Sequence, residues 1–316
     1  MKDTTVLVTG GNGFIGAKIV ERLVLLGYTP SLLLRKNSNR KRLLPILDEI
    51  RIFETSLEEV RDISGILKKI NPNIIIHLAG YGVYSYEDMS AENIQSMVDS
   101  NINGTANLLY AAQNTDCRIF INTGSCFEYG SNTVPFDEES MLNPVNMYGV
   151  TKAAATLLSQ VFSRKSLFSL ITLRPFTVYG PGEDERRFMS TVIKQCFQGK
   201  NPTLTRQKII RDYIYIEDVV DGYLAVIEFG EKLTGEIINI STGKGTILED
   251  VAKIIIKKTN AKVGIDIGSF PIRSGEVLSL VGGAKKAQRL LKWKAKYSLE
   301  DGISKTIEWE KKILNQ

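Results

Sequence analysis

A doubly wound α/β fold with a parallel sheet is the class this sequence predicts, and three observations carry that prediction. Short β-branched runs alternate with amphipathic helical segments through the first half of the 316-residue chain. The first run breaks into glycines at Gly-x-x-Gly-x-x-Gly spacing, Gly10, Gly13 and Gly16, where a helical pattern opens. After Arg174-Pro175 the alternation gives way to proline and glycine turns with shorter mixed elements. Such alternation needs right-handed crossovers over a parallel sheet with helices on both faces, the Rossmann-type architecture. Residues 1–174 are therefore expected to form a dinucleotide-binding domain. Residues 175–316 are expected to form a smaller mixed α/β substrate domain, whose strand at 237–240 is a candidate to return to the first. The two are expected to share a cleft beyond the carboxyl ends of the strands.

Taken in order, the elements follow from local pattern. Val6-Leu7-Val8-Thr9 reads as a strand, Gly10-Gly11-Asn12-Gly13 as a turn, and Phe14-Ile15-Gly16 as a helix start. Glycine there lets the backbone turn tightly and approach a pyrophosphate, and the unpaired amides favour its charge. Ile19, Leu23 and Leu26 recur at helical spacing before Gly27. Further strands are expected at 31–34, 50–53, 74–78, 118–122 and 170–173, with helices over 57–70 and 101–113. In the second half, helices are expected near 188–198, 217–228, 247–258 and 302–314.

Composition removes several classes of function. Three cysteines, Cys117, Cys126 and Cys196, lie too far apart in sequence for a disulfide framework or a thiolate metal site. The single histidine, His77, ends the apolar run Ile74-Ile75-Ile76, so multi-histidine metal sites are excluded and its natural role is structural. Proton transfer must then rest on Tyr, Lys or carboxylates. The net charge of +5 includes one basic cluster at Arg35-Lys36 with Arg40-Lys41-Arg42 and a second over residues 285–296. Neither is interleaved with aromatics, so no nucleic-acid partner is expected. With no apolar run of membrane-spanning length and no signal-peptide pattern, the expected location is cytoplasmic, without membrane association.

Two further motifs bear chemistry. Tyr148-Gly149-Val150-Thr151-Lys152 places a phenol and an ammonium on one helix face. A neighbouring cation favours the phenolate and brings a tyrosine toward useful acid–base range. Upstream, Asn122-Thr123-Gly124-Ser125 runs from a strand into a hydroxyl at the sheet's carboxyl edge.

With the glycine triplet, Ser125 and the Tyr148/Lys152 pair in this order, nearly the whole chain resembles the extended short-chain dehydrogenase/reductase family of nucleotide-sugar epimerases, dehydratases and reductases. His77-Leu78-Ala79, Asn101-Ile102-Asn103-Gly104-Thr105, Arg174-Pro175-Phe176, Tyr179-Gly180-Pro181-Gly182 and Arg211-Asp212-Tyr213 add to the resemblance. It implies that Tyr148 is the acid or base on the sugar oxygen, that Ser125 hydrogen-bonds that oxygen, and that Lys152 binds the nicotinamide ribose and lowers the Tyr148 pKa. It also implies cofactor contacts at Gly10, Gly13, Phe14, Ile15 and Gly16, and at Leu78, Ala79, Asn101 and Pro175. Arg211 and Arg273 match arginines that hold the substrate diphosphate, and Thr177 stands at a substrate-contacting position. A homodimer is expected, with Ala153, Ala154, Leu157, Leu158 and Val161 on the pairing helix. No metal is implied.

Within that family, Cys126 and Phe127 stand where dehydratases carry an acid and a base, so dehydration is not expected. Arg35-Lys36-Asn37-Ser38 after the second strand offers a cationic cup suited to a 2′-phosphate, so NADP(H) is favoured over NAD(H). The texture around Phe127-Glu128-Tyr129-Gly130 resembles the CDP-abequose and CDP-paratose synthases. The expected function is NADPH-dependent reduction of the C4 ketone of a CDP- or dTDP-activated deoxyhexose in the making of surface-polysaccharide (O-antigen) sugars. The alternatives are a nucleotide-sugar 4-epimerase with bound NAD and, more remotely, a non-enzymatic NADP sensor.

Overall fold

The computed structural model describes residues 4–132 and 134–314. Its centre is a seven-stranded parallel sheet built from β1 (Val6–Thr9), β2 (Ser31–Leu34), β3 (Arg51–Glu54), β4 (Ile74–His77), β5 (Ile119–Thr123), β6 (Ser169–Pro175) and the strand Ile237–Ile240. From one edge to the other the order is Ile237–Ile240, β6, β5, β4, β1, β2, β3. The chain leaves β1 in one direction through β2 and β3, then crosses back to lay β4 on the other side of β1. That reversal opens a crevice beyond the ends of β1 and β4, where such sheets bind ligands.

The strands read as continuous apolar runs because both faces are covered. Val6 and Val8 point into one core layer with Ile19, Val20 and Leu23 of α1 (Phe14–Leu25). Leu7 points into the other, with Ile63 and Leu67 of α2 (Val60–Ile70). Ile74 and Ile76 repeat the first pattern and Ile75 the second. Three elements depart from the sequence expectation. A helix, α3 (Ala91–Val98), precedes α4 (Gly104–Ala112), and a π-helical turn over Asp99–Asn103 joins them. Lys41–Glu49 forms a 3₁₀ run kinked at Ile46. Ser90 caps α3 by accepting from the Asn93 amide, a polar start that a purely apolar periodicity overlooks.

Helix α5 (Met147–Ser163), capped by Asn146 accepting from Gly149, packs beside α4. Its outward stripe is Val150, Leu157 (55 % exposed) and Val161 (62 %), and Tyr110 of the neighbouring α4 is exposed as well. Ala153 is buried instead, and Leu158 packs against the core, so two residues expected on the pairing face point inward. Among the described residues no helix is long and apolar enough to cross a membrane.

Beyond the sheet, α6 (Phe188–Phe197) and the strand pairs Thr203–Leu204 with Asp266–Ile267 and Tyr213–Tyr215 with Thr177–Tyr179 contribute to the wall of the crevice, while the helices Ile216–Phe229, Leu248–Thr259 and Leu299–Leu314 complete the second half.

Candidate active site

A cleft of about 500 Å³ runs from the glycine turn to the far wall. At its floor, Gly10 sits at φ +68°, and a side-chain carbon there would stand 2.6 Å from the Ala79 nitrogen. A carbon on Gly16 would meet the Gly10 carbonyl oxygen at 2.2 Å. Only glycine allows the turn and the helix to close this tightly. Helix α1 begins at Gly13 with no side-chain cap and no acidic residue in its first turn. Its first amides are free to receive an anion, and Phe14 and Ile15 line the cleft beside them. The residues present therefore fit a dinucleotide pyrophosphate.

Behind the cleft, His77 is neutral and fully engaged. Thr9 Oγ1 lies 2.7 Å from His77 Nδ1, Thr105 Oγ1 lies 3.0 Å from Nε2, and burial pushes the imidazole pKa down to about 3. Thr105 Oγ1 in turn donates to the Asn101 carbonyl at 2.6 Å, and the Ala79 amide donates to Thr9 Oγ1 at 3.2 Å. This chain of hydrogen bonds fixes the loop after β4. Asn101 completes it: Oδ1 accepts from the Tyr81 amide at 2.8 Å, and Nδ2 donates to Tyr81 O and Thr151 Oγ1, both at 2.9 Å. Leu78 lines the cleft, whereas Ala79 and Asn101 brace its rim. Asn101 thus lies behind the loop rather than open to the cleft.

Ser125, Tyr148 and Lys152 meet at the carboxyl edge of β5, all lining the cleft. Burial pushes the Tyr148 pKa up to about 12, with the neighbouring Ser125 side chain pulling the other way. Lys152 Nζ donates to the Thr123 carbonyl, and burial lowers its pKa to about 8. In this arrangement the ammonium bonds the strand end, and burial in the low-polarity wall is the largest influence on the Tyr148 phenol.

What holds Ser125 was not evident from the sequence. The Ser125 amide donates to Glu128 Oε1 at 2.7 Å, while the Ser125 hydroxyl accepts from the Phe127 amide at 3.2 Å. Glu128 is wholly buried and paired with Arg174, whose Nε and Nη2 both reach Oε2 at 2.8 Å. Thr156 adds a bond to Oε1 at 3.1 Å, and Arg174 continues to the Tyr129 hydroxyl at 2.8 Å. A charge pair with its lone pairs this fully occupied is tolerated in a dry interior.

At the far end, Arg211 and Arg273 line the cleft. Arg211 pairs with Glu276 and donates to its neighbour's carbonyl, Ile210 O, at 2.9 Å. Arg273 is half-exposed, 5.2 Å over the Phe270 ring and 3.7 Å from Glu87. Asp212 anchors this wall by accepting from the Thr242, Gly243 and Gly282 amides at 2.9, 2.9 and 3.3 Å. Pro175 and Thr177 line the middle of the cleft, where the Thr177 amide donates to Asp212 O. The same wall carries residues that sequence reasoning passed over: Tyr84, Glu183, Arg186 and Arg187. Glu183 and Arg187 lie in the turn-rich segment before α6, where no helical periodicity marks them.

Arg35 is exposed and lies outside the cleft lining. Its cationic cluster is also partly engaged. Arg40 pairs with Glu54, the β3 residue in register with Leu34 of β2, and Arg42 donates to Gly182 O at 3.0 Å. A carboxylate therefore stands beside the expected phosphate cup.

The fold and site together define a class of protein. Residues 6–241 match the NAD dependent epimerase/dehydratase family, and the chain belongs to it. UDP-glucose 4-epimerase 2 of Oryza sativa subsp. japonica is 29 % identical, covering 98 % of this chain and 82 % of its own length. The crystal structure of UDP-glucose 4-epimerase from Thermotoga maritima with UDP-glucose is 27 % identical, with a TM-score of 0.89 over 98 % of this chain and 100 % of that one. MoeE5 in complex with UDP-glucuronic acid and NAD is 25 % identical, with a TM-score of 0.85 over 98 % and 99 %. These findings correct three expectations. The relatives are UDP-sugar 4-epimerases rather than CDP-abequose-type synthases, so the 4-ketoreductase reading gives way to the epimerase alternative. The dinucleotide bound by the similar solved protein is NAD, which overturns the NADP preference read from Arg35.

Proposed function

We propose that this protein interconverts UDP-sugars epimeric at C4, using NAD. The observation that carries the reading is one continuous cleft with a glycine turn, a Ser125/Tyr148/Lys152 cluster and an arginine-bearing wall that includes Arg211 and Arg273, in a chain similar over its length to UDP-glucose 4-epimerases.

Bound NAD supplies a reversible hydride acceptor for the sugar carbon. Tyr148 Oη is the atom placed to hold or release the proton of the C4 oxygen. Its high pKa keeps the phenol protonated until a charged neighbour stabilises the phenolate. Ser125 Oγ orients that oxygen, and Lys152 binds the nicotinamide ribose, as an ammonium below about pH 8. Gly10, Gly13 and the α1 amides hold the pyrophosphate, with Leu78, Ala79 and Pro175 framing the dinucleotide. Arg211 and Arg273 hold the substrate diphosphate through their fixed donor forks, with Thr177 beside them. An anchor at that end leaves the sugar free to turn and present either face. Cys126, whose buried thiol has its pKa pushed up to about 12, and Phe127 supply no second acid–base pair, so elimination of water has no agent here. The apolar stripe of α5 and α4 supports a homodimer.

The test is incubation of purified protein with UDP-glucose and NAD and no added reductant, followed by separation of the sugar nucleotides. UDP-galactose formed to a fixed equilibrium ratio supports the reading. No conversion of UDP-glucose, UDP-glucuronate or their N-acetylated and pentose analogues overturns it.

A further inference from the structure

Two parts of the cleft that lie far apart in sequence meet at one side chain. Residues 268–276 carry Arg273 and Glu276, which line the cleft together with Phe270 and Pro271. Residues 268–274 are exposed, so a few bonds decide where the segment sits. At one end the Gly268 and Phe270 amides donate to the Leu204 carbonyl at 2.7 and 3.3 Å. At the other, Gly275 turns at φ +70° against the start of α5, where a side-chain carbon would stand 3.2 Å from both Asn146 Cβ and the Val145 carbonyl oxygen. Glu276, the next residue, pairs with Arg211.

Asn146 is the side chain at this junction, and it bonds in both directions. Its Oδ1 accepts from the Gly149 amide at 2.9 Å, capping α5 one residue past Tyr148. Its Nδ2 donates to the Gly275 carbonyl at 3.2 Å, two residues past Arg273. An amide donor on one side and a carbonyl acceptor on the other fix which way the side-chain amide points. Capping needs only the oxygen, which serine would supply as well. The nitrogen is what reaches the other segment. Further along α5, Asn101 Nδ2 donates to Thr151 Oγ1 at 2.9 Å, so the helix is tied to the wall bearing Arg273 at its cap and to the loop after β4 a turn later. A second path between the same parts is looser. The Tyr86 hydroxyl lies 3.4 Å from Glu276 Oε2, and the rings of Tyr86, Phe127 and Tyr148 follow with centroids 6.1 and 5.8 Å apart.

We propose that Asn146 is a positioning residue that makes the grip on the substrate diphosphate and the placement of the Tyr148 phenol one event. This rests on the reading in which Arg273 holds that diphosphate. A diphosphate that draws Arg273 inward orders residues 268–276. The Gly275 carbonyl then holds Asn146, and through its cap the first turn of α5, in one position. With the tie cut, Arg211 and Arg273 still grip the diphosphate, but the distance from that grip to the Tyr148 hydroxyl is free to drift. Misplacement of this kind costs turnover rather than affinity.

The experiment is hydrogen–deuterium exchange of the NAD-loaded protein with and without saturating UDP, read by mass spectrometry over residues 268–276 and 146–150. In the wild type, UDP is expected to slow exchange in both by about fivefold or more. In Asn146→Ser, UDP is expected to protect 268–276 and no longer 146–150. In the same variant kcat is expected to fall roughly tenfold, with the Kd for UDP within about threefold of wild type. In an Arg273→Gln background Asn146→Ser should cost less than about twofold in kcat, whereas a residue that merely capped the helix would cost the same in both. Gly275→Ala crowds the junction from the other side and should also lose the protection of 146–150, a readout that stands where Asn146→Ser fails to fold. Protection of 146–150 that is absent in the wild type or survives in Asn146→Ser overturns the proposal. So does a fall in kcat undiminished in the Arg273→Gln background, or no binding of UDP. Protection that couples the two segments and is lost in Asn146→Ser, in a protein that does not epimerise UDP-glucose, sinks the 4-epimerase reading and leaves the Asn146 tie standing.

Discussion

Tyr148 and Lys152 show how far single residues depend on their surroundings. A phenol at about 12 and an ammonium at about 8 are both displaced by burial, in opposite directions, each toward its neutral form. On the proposed reading Lys152 binds the ribose as an ammonium, which is lost as pH rises through about 8, so the rate should fall on the alkaline side there, measurable as a kcat/KM profile. Tyr148→Phe should cost on the order of 10²–10⁴ in turnover while leaving NAD binding intact, as equilibrium titration would report. His77 makes a different prediction. Its folded pKa of about 3 lies below the ordinary 6.5, so the unfolded state binds the extra proton and stability is lost as pH falls from 6.5 toward 3. By about pH 5 the loss is about 2 kcal/mol, and His77→Gln should flatten that acid limb in denaturant titrations. These residues were legible in sequence because local spacing marks them: the glycine triplet, Tyr-x-x-x-Lys, and a histidine ending an isoleucine run. Glu183 and Arg187 were not, because their meaning depends on which wall a turn-rich segment is folded against.

At the scale of elements, the segment after β5 is rigid because a buried carboxylate ties it from behind. Glu128 holds the Ser125 amide, and Arg174 on β6 holds Glu128, so a strand and a 3₁₀ turn position one hydroxyl together. Removing one partner leaves an uncompensated buried charge: Glu128→Ala should cost about 3–5 kcal/mol in unfolding free energy. Replacing both by apolar residues of similar volume should cost far less stability while still lowering turnover, since Ser125 loses its anchor. The six strands of the first half were legible because parallel strands covered on both faces are apolar throughout. Helix α3 escaped notice because its only deeply buried residues are Asn93 and Met97, and its polar cap resembles a loop.

For the whole molecule, the exposed apolar stripe on α5 and α4 makes association the largest prediction. Light scattering should report a dimer, and Leu157→Glu with Val161→Glu should give a monomer; a monomeric wild-type protein contradicts the pairing. The same scale exposes why the cofactor was misread. A basic loop suggests a 2′-phosphate site only if its cations are free and face the cleft. Here Arg35 lies outside the cleft lining, and Arg40 is held by Glu54, a pairing no local pattern announces.

The central claim is that hydride leaves and returns to the same carbon within one cleft. UDP-glucose deuterated at C4, incubated with the protein and NAD in ordinary water, tests it most directly. The account predicts UDP-galactose that retains deuterium at C4, with no net change in nicotinamide absorbance. Product that has lost the label, or turnover only of a 4-keto sugar with stoichiometric consumption of reduced cofactor, contradicts it.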